Sequence, residues 1–596
     1  MNYVQQRIRI VACCSMLLLI GTITSYAASA KTPRPNIVVM LTDDQGWGDL
    51  SVHGNTNLQT PAADSLARDG AMFERFYVSP VCSPTRAEFL TGRYHPRGGV
   101  FSTSTGGERL DLDERTIAQV FQQAGYATGA FGKWHNGTQF PYHPRGRGFD
   151  EFYGFCSGHW GDYFDPPLEH NGQPVRGRGF ISDDFTDHAL SFIEANRGGP
   201  FFCYLALNTP HSPMQVPENF YEKFAGAEIA LRHAGPERED VAMTRAALAM
   251  CESNDGNLAR VLAKLDELKL ANDTIVVFFC DNGPNSWRWN GGMKGRKGST
   301  DEGGVRAPLL VRWPGHVPPG TRIKSPAAAI DLLPTLAGLA GVSAKGEKPL
   351  DGVDLSAVLR DPATPAPARL IFAHWTGSVS ARDEHYLLDG NGQLFDLATD
   401  PGQSRNIRRE RPEVAERMSA AVADWRRDVL SELTKEPRPF TVGYREFPLT
   451  VLPARDGAPH GGVKRSARAP NCSFFTGWTN TDDSITWDIA VATAGRYKAT
   501  AWYTCPAADV GSTIELRFGA SHVTAKIAEA HDPPLVGAEH DRVPREGESL
   551  VKDFRPLELG LFALPAEQGK LTLRATAVPG KSVMDLRGVT LELLTD

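Results

Sequence analysis

The sequence predicts an α/β protein with a large, buried, mostly parallel sheet flanked by helices, then a small α+β unit and an appended β-sandwich. Three observations carry this. The runs NIVVML (36–41), FFCYLAL (201–207), TIVVFFC (274–280) and PLLVRW (308–313) are continuously apolar, as strands covered on both faces require, and helical patterns separate them. Short strands and one amphipathic helix follow between about residues 342 and 436. Beyond Pro437 apolar residues alternate with polar ones, in Ile485-Thr-Trp487-Asp-Ile489, Ile514-Glu-Leu516-Arg-Phe518 and Val589-Thr-Leu591-Glu-Leu593, the pattern of short sandwich strands.

In chain order, residues 1–30 carry Arg7 and Arg9, an apolar stretch from Ile10 to Ile20 and a small-residue end at Ala28-Ser29-Ala30. That is the layout of a secretory signal cleaved after Ala30. The apolar stretch is about half of the roughly 20 residues that cross a bilayer, so no membrane span is expected. Residues 31–341 form the large α/β unit, with a helix over 243–268 leading into the strand at 274. Residues 342–436 hold strands near 370–374, 385–389 and 393–397 and a helix from Pro412 to Leu433. In that helix Val414, Met418, Ala421, Trp425 and Val429 recur at helical spacing, and Pro412 occupies the first turn. Residues 437–596 form the sandwich.

The 596 residues are 41% hydrophobic and 22% charged, a balance that excludes a disordered or fibrous chain. The formal charge of −7 becomes −9 without the signal, so nucleic acid is not an expected partner. Apart from Cys13 and Cys14 there are seven cysteines, an odd number that leaves at least one thiol unpaired. Cys203 and Cys280 lie in apolar runs and read as free core residues, while Cys472 and Cys505 are candidates to pair.

Four apolar or strand-like segments end in reactive side chains: Asp43-Asp44, Lys133-Trp134-His135, His211 and Asp281-Asn282. Open α/β sheets bind ligands outside the carboxyl ends of their strands, so four such ends point to one site. Asp43, Asp44, Asp281 and Asn282 offer only oxygen, which suits Ca²⁺, with Mg²⁺ second, and argues against zinc. Three carboxylates so close should repel strongly without a cation between them. Cys82 precedes a helix with Pro84 in its first turn, where the helix N-terminus favours a nucleophile or an anion.

Cys82-x-Pro84-x-Arg86 followed by Leu90-Thr-Gly-Arg93 resembles the signature of type I, formylglycine-dependent sulfatases of the alkaline phosphatase superfamily. TDDQGWGDL (42–50), GKWH (132–135), TPH (209–211), DNG (281–283), KGSTDEGGVRAPLLVRWPG (297–315) and LFDLATDPGQSRNI (394–407) resemble further family motifs, in family order. The resemblance covers about residues 34–433 and implies an alkaline-phosphatase-like α/β sandwich fold. It also implies that a formylglycine-generating enzyme converts Cys82 to formylglycine (3-oxoalanine), which joins Asp43, Asp44, Asp281 and Asn282 around the cation. The hydrated aldehyde attacks sulfur; Arg86, Lys133 and Lys297 clamp the anion, with Arg86 also orienting the formylglycine. His211, aided by Lys297, protonates the leaving oxygen, and His135 takes the second diol proton so that the sulfated intermediate collapses to aldehyde and sulfate. Lys294 competes with Lys297 for the clamp, but Lys297-Gly-Ser-Thr is the closer match.

Thr85 stands where the family usually has Ser, and Asn136 where Leu is common; neither departure removes a reactive group. Asn136-Gly137-Thr138 is a formal glycosylation acceptor beside His135, read as accidental and as favouring a bacterial source. Residues 136–175, with His143, Arg145, Arg147, His159, Trp160, Asp162 and Tyr163, are a candidate sugar-lining loop, or else a packed surface loop, and His374 of the small unit is expected to reach the same cleft. The sandwich is similar in pattern to accessory carbohydrate-binding modules; a packing domain that shields the catalytic unit or builds an oligomer is the alternative. The function implied is a secreted or periplasmic sulfuric ester hydrolase acting on a sulfated carbohydrate. The alternatives are a formylglycine-dependent phosphoester or phosphonate hydrolase, and an inactive glycan-binding scaffold.

Overall fold

The computed structural model describes residues 34–433 and 438–594, so the segment read as an export signal lies outside the described residues. Its centre is a ten-stranded sheet. In chain order the strands are β1 (Asn36–Thr42), β2 (Ala71–Phe73), β3 (Ala127–Lys133), β4 (Glu151–Phe155), β5 (Pro167–His170), β6 (Gln173–Arg176), β7 (Phe201–Ala206), β8 (Thr274–Cys280), β9 (Leu309–Arg312) and β10 (Thr321–Ile323). They lie side by side as β10-β2-β9-β8-β1-β7-β3-β4-β5-β6. Alternate residues of β1 enter different cores: Ile37, Val39 and Leu41 on one face, Val38 and Met40 on the other. This double burial is why the run is apolar throughout. Helices α2 (Cys82–Thr91) and α3 (Ile117–Gln123) cover the first face, and α1 (Pro61–Asp69), α4 (Ile181–Ala195), α5 (Glu218–Ala225) and α6 (Val241–Glu267) the second.

β8, β1, β7, β3 and β4 run parallel, which brings the chain segments after β1, β3, β7 and β8 to one edge of the sheet. The fourth apolar run differs from the expectation. β9 is antiparallel to both β8 and β2, because the chain returns directly from the loop at the carboxyl edge of β8 without a crossover helix. Just before Lys133, strands approach so closely that a Cβ on Gly132 (φ +116°) would stand 2.0 Å from the Ala206 carbonyl oxygen. Only glycine fits there, and it sets Lys133 at the end of β3.

The small unit is a four-stranded antiparallel sheet (Ile371–Trp375, Ser378–Arg382, Tyr386–Leu388, Leu394–Asp396) under the helix Pro412–Val429. That helix buries Ala415, Met418, Trp425 and Val429. The C-terminal part has two six-stranded, largely antiparallel sheets around one core. Ile485, Trp487, Ile514 and Leu516 come from one sheet, and Tyr497, Ala499, Val589 and Leu591 from the other. All seven cysteines among the described residues are free, so Cys472 and Cys505 do not pair.

The sandwich is seated on the catalytic unit along a seam that combines hydrogen bonds with an aromatic cluster, in which Phe140 lies against Tyr444 and Phe447 and His143 against Phe447. Arg109 donates to the Pro439 carbonyl (2.8 Å), Gln139 to the Val451 carbonyl (2.9 Å), Gln215 to the Gly537 carbonyl (2.7 Å) and Arg545 to the Gly161 carbonyl (2.6 Å). Arg109 also lies over the Phe440 ring.

Candidate active site

Cys82 is the first residue of α2, with Val81 as an extended N-cap. Its thiol donates to Asp43 Oδ1 at 3.2 Å. Burial, with the Asp43 carboxylate beside it, pushes the thiol well above its usual range, so the unmodified cysteine stays protonated despite the helix N-terminus. Arg86, one turn on, is fully buried and donates Nε and Nη2 to Asp281 Oδ2 (3.1 and 2.8 Å) and Nη1 to the Lys133 carbonyl (2.7 Å). Thr85 Oγ1 accepts from the Ser79 amide (2.8 Å), a bond that requires only a hydroxyl at this position.

Lys133 Nζ meets Asp43 Oδ2 at 2.5 Å, and Lys297 Nζ meets Asp44 Oδ1 at 2.6 Å. Lys294 is engaged elsewhere, 3.3 Å from Asp301, which leaves Lys297 as the lysine of the cluster. Asp43, Asp44 and Asp281 are thus matched one to one by Lys133, Lys297 and Arg86. The expected repulsion among carboxylates is met by side-chain cations, so carboxylate count alone does not demand a metal. Burial raises the Asp43 carboxyl, yet Lys133, His211 and Arg86 together hold it well below its usual range. Asp281 is pushed up to about 7 by burial and by Asp43, against the pull of Arg86. Burial alone would lower Lys297, but Asp44 raises it, so it carries a proton at neutral pH.

The donor set fits a hard cation on other grounds. Asp43, Asp44, Cys82 and His211 bring ligand atoms within 4.8 Å of one another. Asn282 donates Nδ2 to Asp44 Oδ1 (2.7 Å), and its Oδ1 is buried without a hydrogen-bond partner among the described residues. An orphaned carbonyl oxygen in such a cluster is what a metal ligand leaves when drawn without its ion. Asp281 accepts at Oδ1 from the Asp44 amide (3.2 Å) and at Oδ2 from Arg86, and Oδ1 keeps a further lone pair.

His211 donates Nδ1–H to the Ser212 carbonyl (2.7 Å), which leaves Nε2 facing Asp44 Oδ2 at 3.8 Å. His135 donates Nε2–H to the Thr103 carbonyl (2.8 Å), and its buried Nδ1 has no partner among the described residues. Burial first, then Lys297 for His211 and Lys133 for His135, holds both rings below the ordinary histidine value. Asp44 and His135 both adopt positive φ (66° and 65°), strain concentrated at the carboxyl edge.

The candidate substrate residues divide. His159 stacks on His211, with ring centroids 5.7 Å apart, and so belongs to the cluster. Trp160 stacks on Phe155 beneath Arg587, and Asp162 pairs with His540 (3.0 Å), so both serve the seam with the sandwich. His374 stacks on His95 and packs on Trp425, a contact between the small unit and the far end of α2 that takes it away from the cleft. Arg147 is spent on the carbonyls of Asp111, Leu112 and Glu114. Asn136 is buried and donates to the Ser83 and Glu108 carbonyls, so its acceptor sequence is out of reach of a glycosyl donor.

Several supports were not foreseen. Arg288 pairs with Asp49 (2.7 Å) and donates to the Asp44 carbonyl (2.8 Å), fixing the strained Asp44. Asn254 of α6 donates to the Thr209 carbonyl (2.9 Å), and Tyr163 Oη to the His211 carbonyl (2.9 Å). From the sandwich, Asn471 reaches His159 and Glu548 accepts from the Ser212 hydroxyl. Asp49 lies within the TDDQGWGDL motif, whereas Asn471 and Glu548 carry no signal in the sequence.

Cations, two histidines and a helix N-terminus converging on one buried position define a hydrolase of anionic esters. Residues 35–342 match the sulfatase family model. The chain is 31% identical over 376 residues to mouse N-acetylgalactosamine-6-sulfatase, covering 57% of this chain and 69% of that one. It is 33% identical over 392 residues to rat arylsulfatase G, covering 56% and 70%. The solved structure of Ps i-CgsB in complex with k-i-k-neocarrahexaose superposes with a TM-score of 0.62 at 30% identity, covering 67% of this chain and 94% of that one. The chain belongs to the sulfatase family and is a sulfuric ester hydrolase; members of the family generally use formylglycine and a divalent metal.

Proposed function

We propose that this protein removes sulfate from a sulfated carbohydrate outside the cytoplasm, with Cys82 as the formylglycine position and Ca²⁺ as the metal. The observation that carries the reading is the convergence of Arg86, Lys133 and Lys297 with His135 and His211 around the Cys82 end of α2. Asp43, Asp44, Asp281 and Asn282 would hold the cation together with the residue-82 side chain; the ion would supply charge that activates a hydroxyl and neutralises a sulfate oxygen. Formylglycine, made by a formylglycine-generating enzyme, supplies a hydrated aldehyde that can release sulfate by collapse, an exit closed to serine.

The chain's own groups do the remainder. Lys133 and Arg86 stabilise charge on the equatorial oxygens. Lys297 carries the proton at neutral pH beside His211, so the two act together on the leaving oxygen. His135 presents Nδ1 to take a proton at residue 82. The signal-like segment with Arg7 and Arg9 supports export, and the sugar-active relatives support a sulfated sugar as substrate. Boundaries near 341 and 437 separate catalytic, small and sandwich units.

The test is peptide mass spectrometry of the Cys82 segment from native-host protein, with sulfate release measured before and after chelation. Thiol-to-aldehyde conversion with chelator-sensitive release that calcium restores is expected. An intact thiol in active protein would refute the formylglycine assignment, and faster turnover of aryl phosphate than aryl sulfate would favour the phosphoester alternative.

A further inference from the structure

We propose that two loops of the C-terminal sandwich, 468–473 and 546–550, complete the substrate subsite, with Glu548 receiving hydroxyl groups of an uncharged sugar ring next to the sulfated carbon. The inference rests on the sulfated-carbohydrate reading above and deepens it.

The first loop reaches His159, which stacks on His211. The Asn471 carbonyl accepts from Ser157 Oγ (2.8 Å), and Asn471 Nδ2 lies 3.4 Å from His159 Nδ1. Gly158 is squeezed between the two units: a Cβ there would stand 2.4 Å from Asn471 Nδ2 and 2.6 Å from His135 Nε2. Asn471 Oδ1 and His159 Nε2 are both buried without hydrogen-bond partners among the described residues. Unpaired polar atoms are costly, and a ligand hydroxyl is the group that satisfies them.

The second loop brings a carboxylate. Glu548 accepts from the hydroxyl of Ser212, the residue whose carbonyl fixes the His211 tautomer. Arg545, in the same loop region, is occupied by Asp541 (2.7 Å) and by the carbonyls of Gly161 and Ser549. Arg86, Lys133 and Lys297 are assigned to the reacting sulfate. A half-buried carboxylate beside His211 accepts sugar hydroxyls and repels a second anion, whether a uronate or another sulfate, while the first loop's own cation, Arg468, lies against Gly547 on the exposed side. The seam described above holds both loops in register with the catalytic edge.

The experiment compares wild type, Glu548→Gln and Asn471→Ala as full-length, aldehyde-bearing proteins with matched melting temperatures. The substrates are an aryl sulfate, a sulfated neutral oligosaccharide and a sulfated oligosaccharide containing uronic acid. Glutamine keeps the acceptor for Ser212 while removing the charge. The ratio of kcat/KM for neutral sugar to that for aryl sulfate is expected to fall roughly tenfold in either variant. Preference for neutral over uronate-bearing sugar is expected to narrow by a similar factor in Glu548→Gln. Ratios within twofold of wild type in both variants would overturn the proposal. Wild-type protein that turns over aryl sulfate but no sulfated sugar would overturn the carbohydrate reading, and this inference with it.

Discussion

Replacing Arg86 by methionine tests whether charge pairing, rather than shape, holds the site together. Methionine keeps much of the length but removes the two donors to Asp281 and the donor to the Lys133 carbonyl. Asp281 is then buried beside Asp43 with its main partner gone, and breaking a buried pair in this way costs about 3–5 kcal/mol. A cooperative unit of about 400 residues unfolds with an entropy near 0.8 kcal/mol/K, so the melting temperature should fall by about 4–6 °C. The deficit depends on pH with a definite sign. Asp281 already sits at about 7, and loss of Arg86 raises it further, so the variant's folded state takes up a proton as pH falls and recovers stability. Calorimetry in chelator at pH 8 and pH 6, repeated at two scan rates to control for irreversible unfolding, should show the larger deficit at pH 8. A deficit under about 1 °C at pH 8, or one that grows on acidification, would refute the pairing argument.

Four further outcomes follow from particular residues. Glu88, buried in α2, is pushed up to about 8 by burial, against hydrogen bonds from His95 and Ser79. Its folded value exceeds its unfolded one, so stability falls as pH rises from about 4.5 to about 8 at up to about 1.4 kcal/mol per pH unit, and Glu88→Gln should flatten the melting temperature over that window. Asp255 of α6 accepts from the Ala62 and Ala63 amides and so caps α1, whose own Thr60 makes no side-chain cap; Asp255→Ala should cost about 1–2 kcal/mol and speed amide exchange at those residues. Calcium at about 100 times its dissociation constant should stabilise the protein by about 2.7 kcal/mol in melts, with a smaller shift in Asn282→Ala. Gly158→Ala should displace His135 and Asn471 together and lower kcat on aryl sulfate; unchanged kcat would show that this contact relaxes freely.

The catalytic edge was readable because parallel strands place successive carboxyl ends side by side, and Asp43, Lys133, His211 and Asp281 follow or end four of them. Periodicity gave strand positions but not direction, so the antiparallel sense of β9 depended on a connection that hydropathy does not encode. Polar residue type gave candidates but not partners. Asp162 and His159 stand three residues apart in one loop, yet one is bound by His540 of the sandwich and the other lies against His211. The same blindness affected the carboxylates, whose compensation by Lys133, Lys297 and Arg86 depends on segments up to 253 residues apart.

The seam with the sandwich was least legible, and its chemistry explains why. Interfaces announce themselves in sequence when they require broad apolar faces; this one has a small aromatic cluster at Phe140, Tyr444 and Phe447, but it also uses Arg109, Gln139, Gln215 and Arg545 as donors to carbonyls across the boundary. A main-chain carbonyl exists at every residue, so the accepting side needs no particular amino acid. The donating side consists of arginines and glutamines that resemble ordinary solvated residues. The hydrogen-bonded part of such an interface sets its geometry, since each guanidinium or amide fixes direction as well as distance. That is the property required of a surface that must hold Asn471 and Glu548 within reach of catalytic histidines, where small displacements are costly to catalysis. An accessory domain tethered only by a linker would leave those two residues without a fixed position, whereas this seam makes the sandwich part of the wall of the active site.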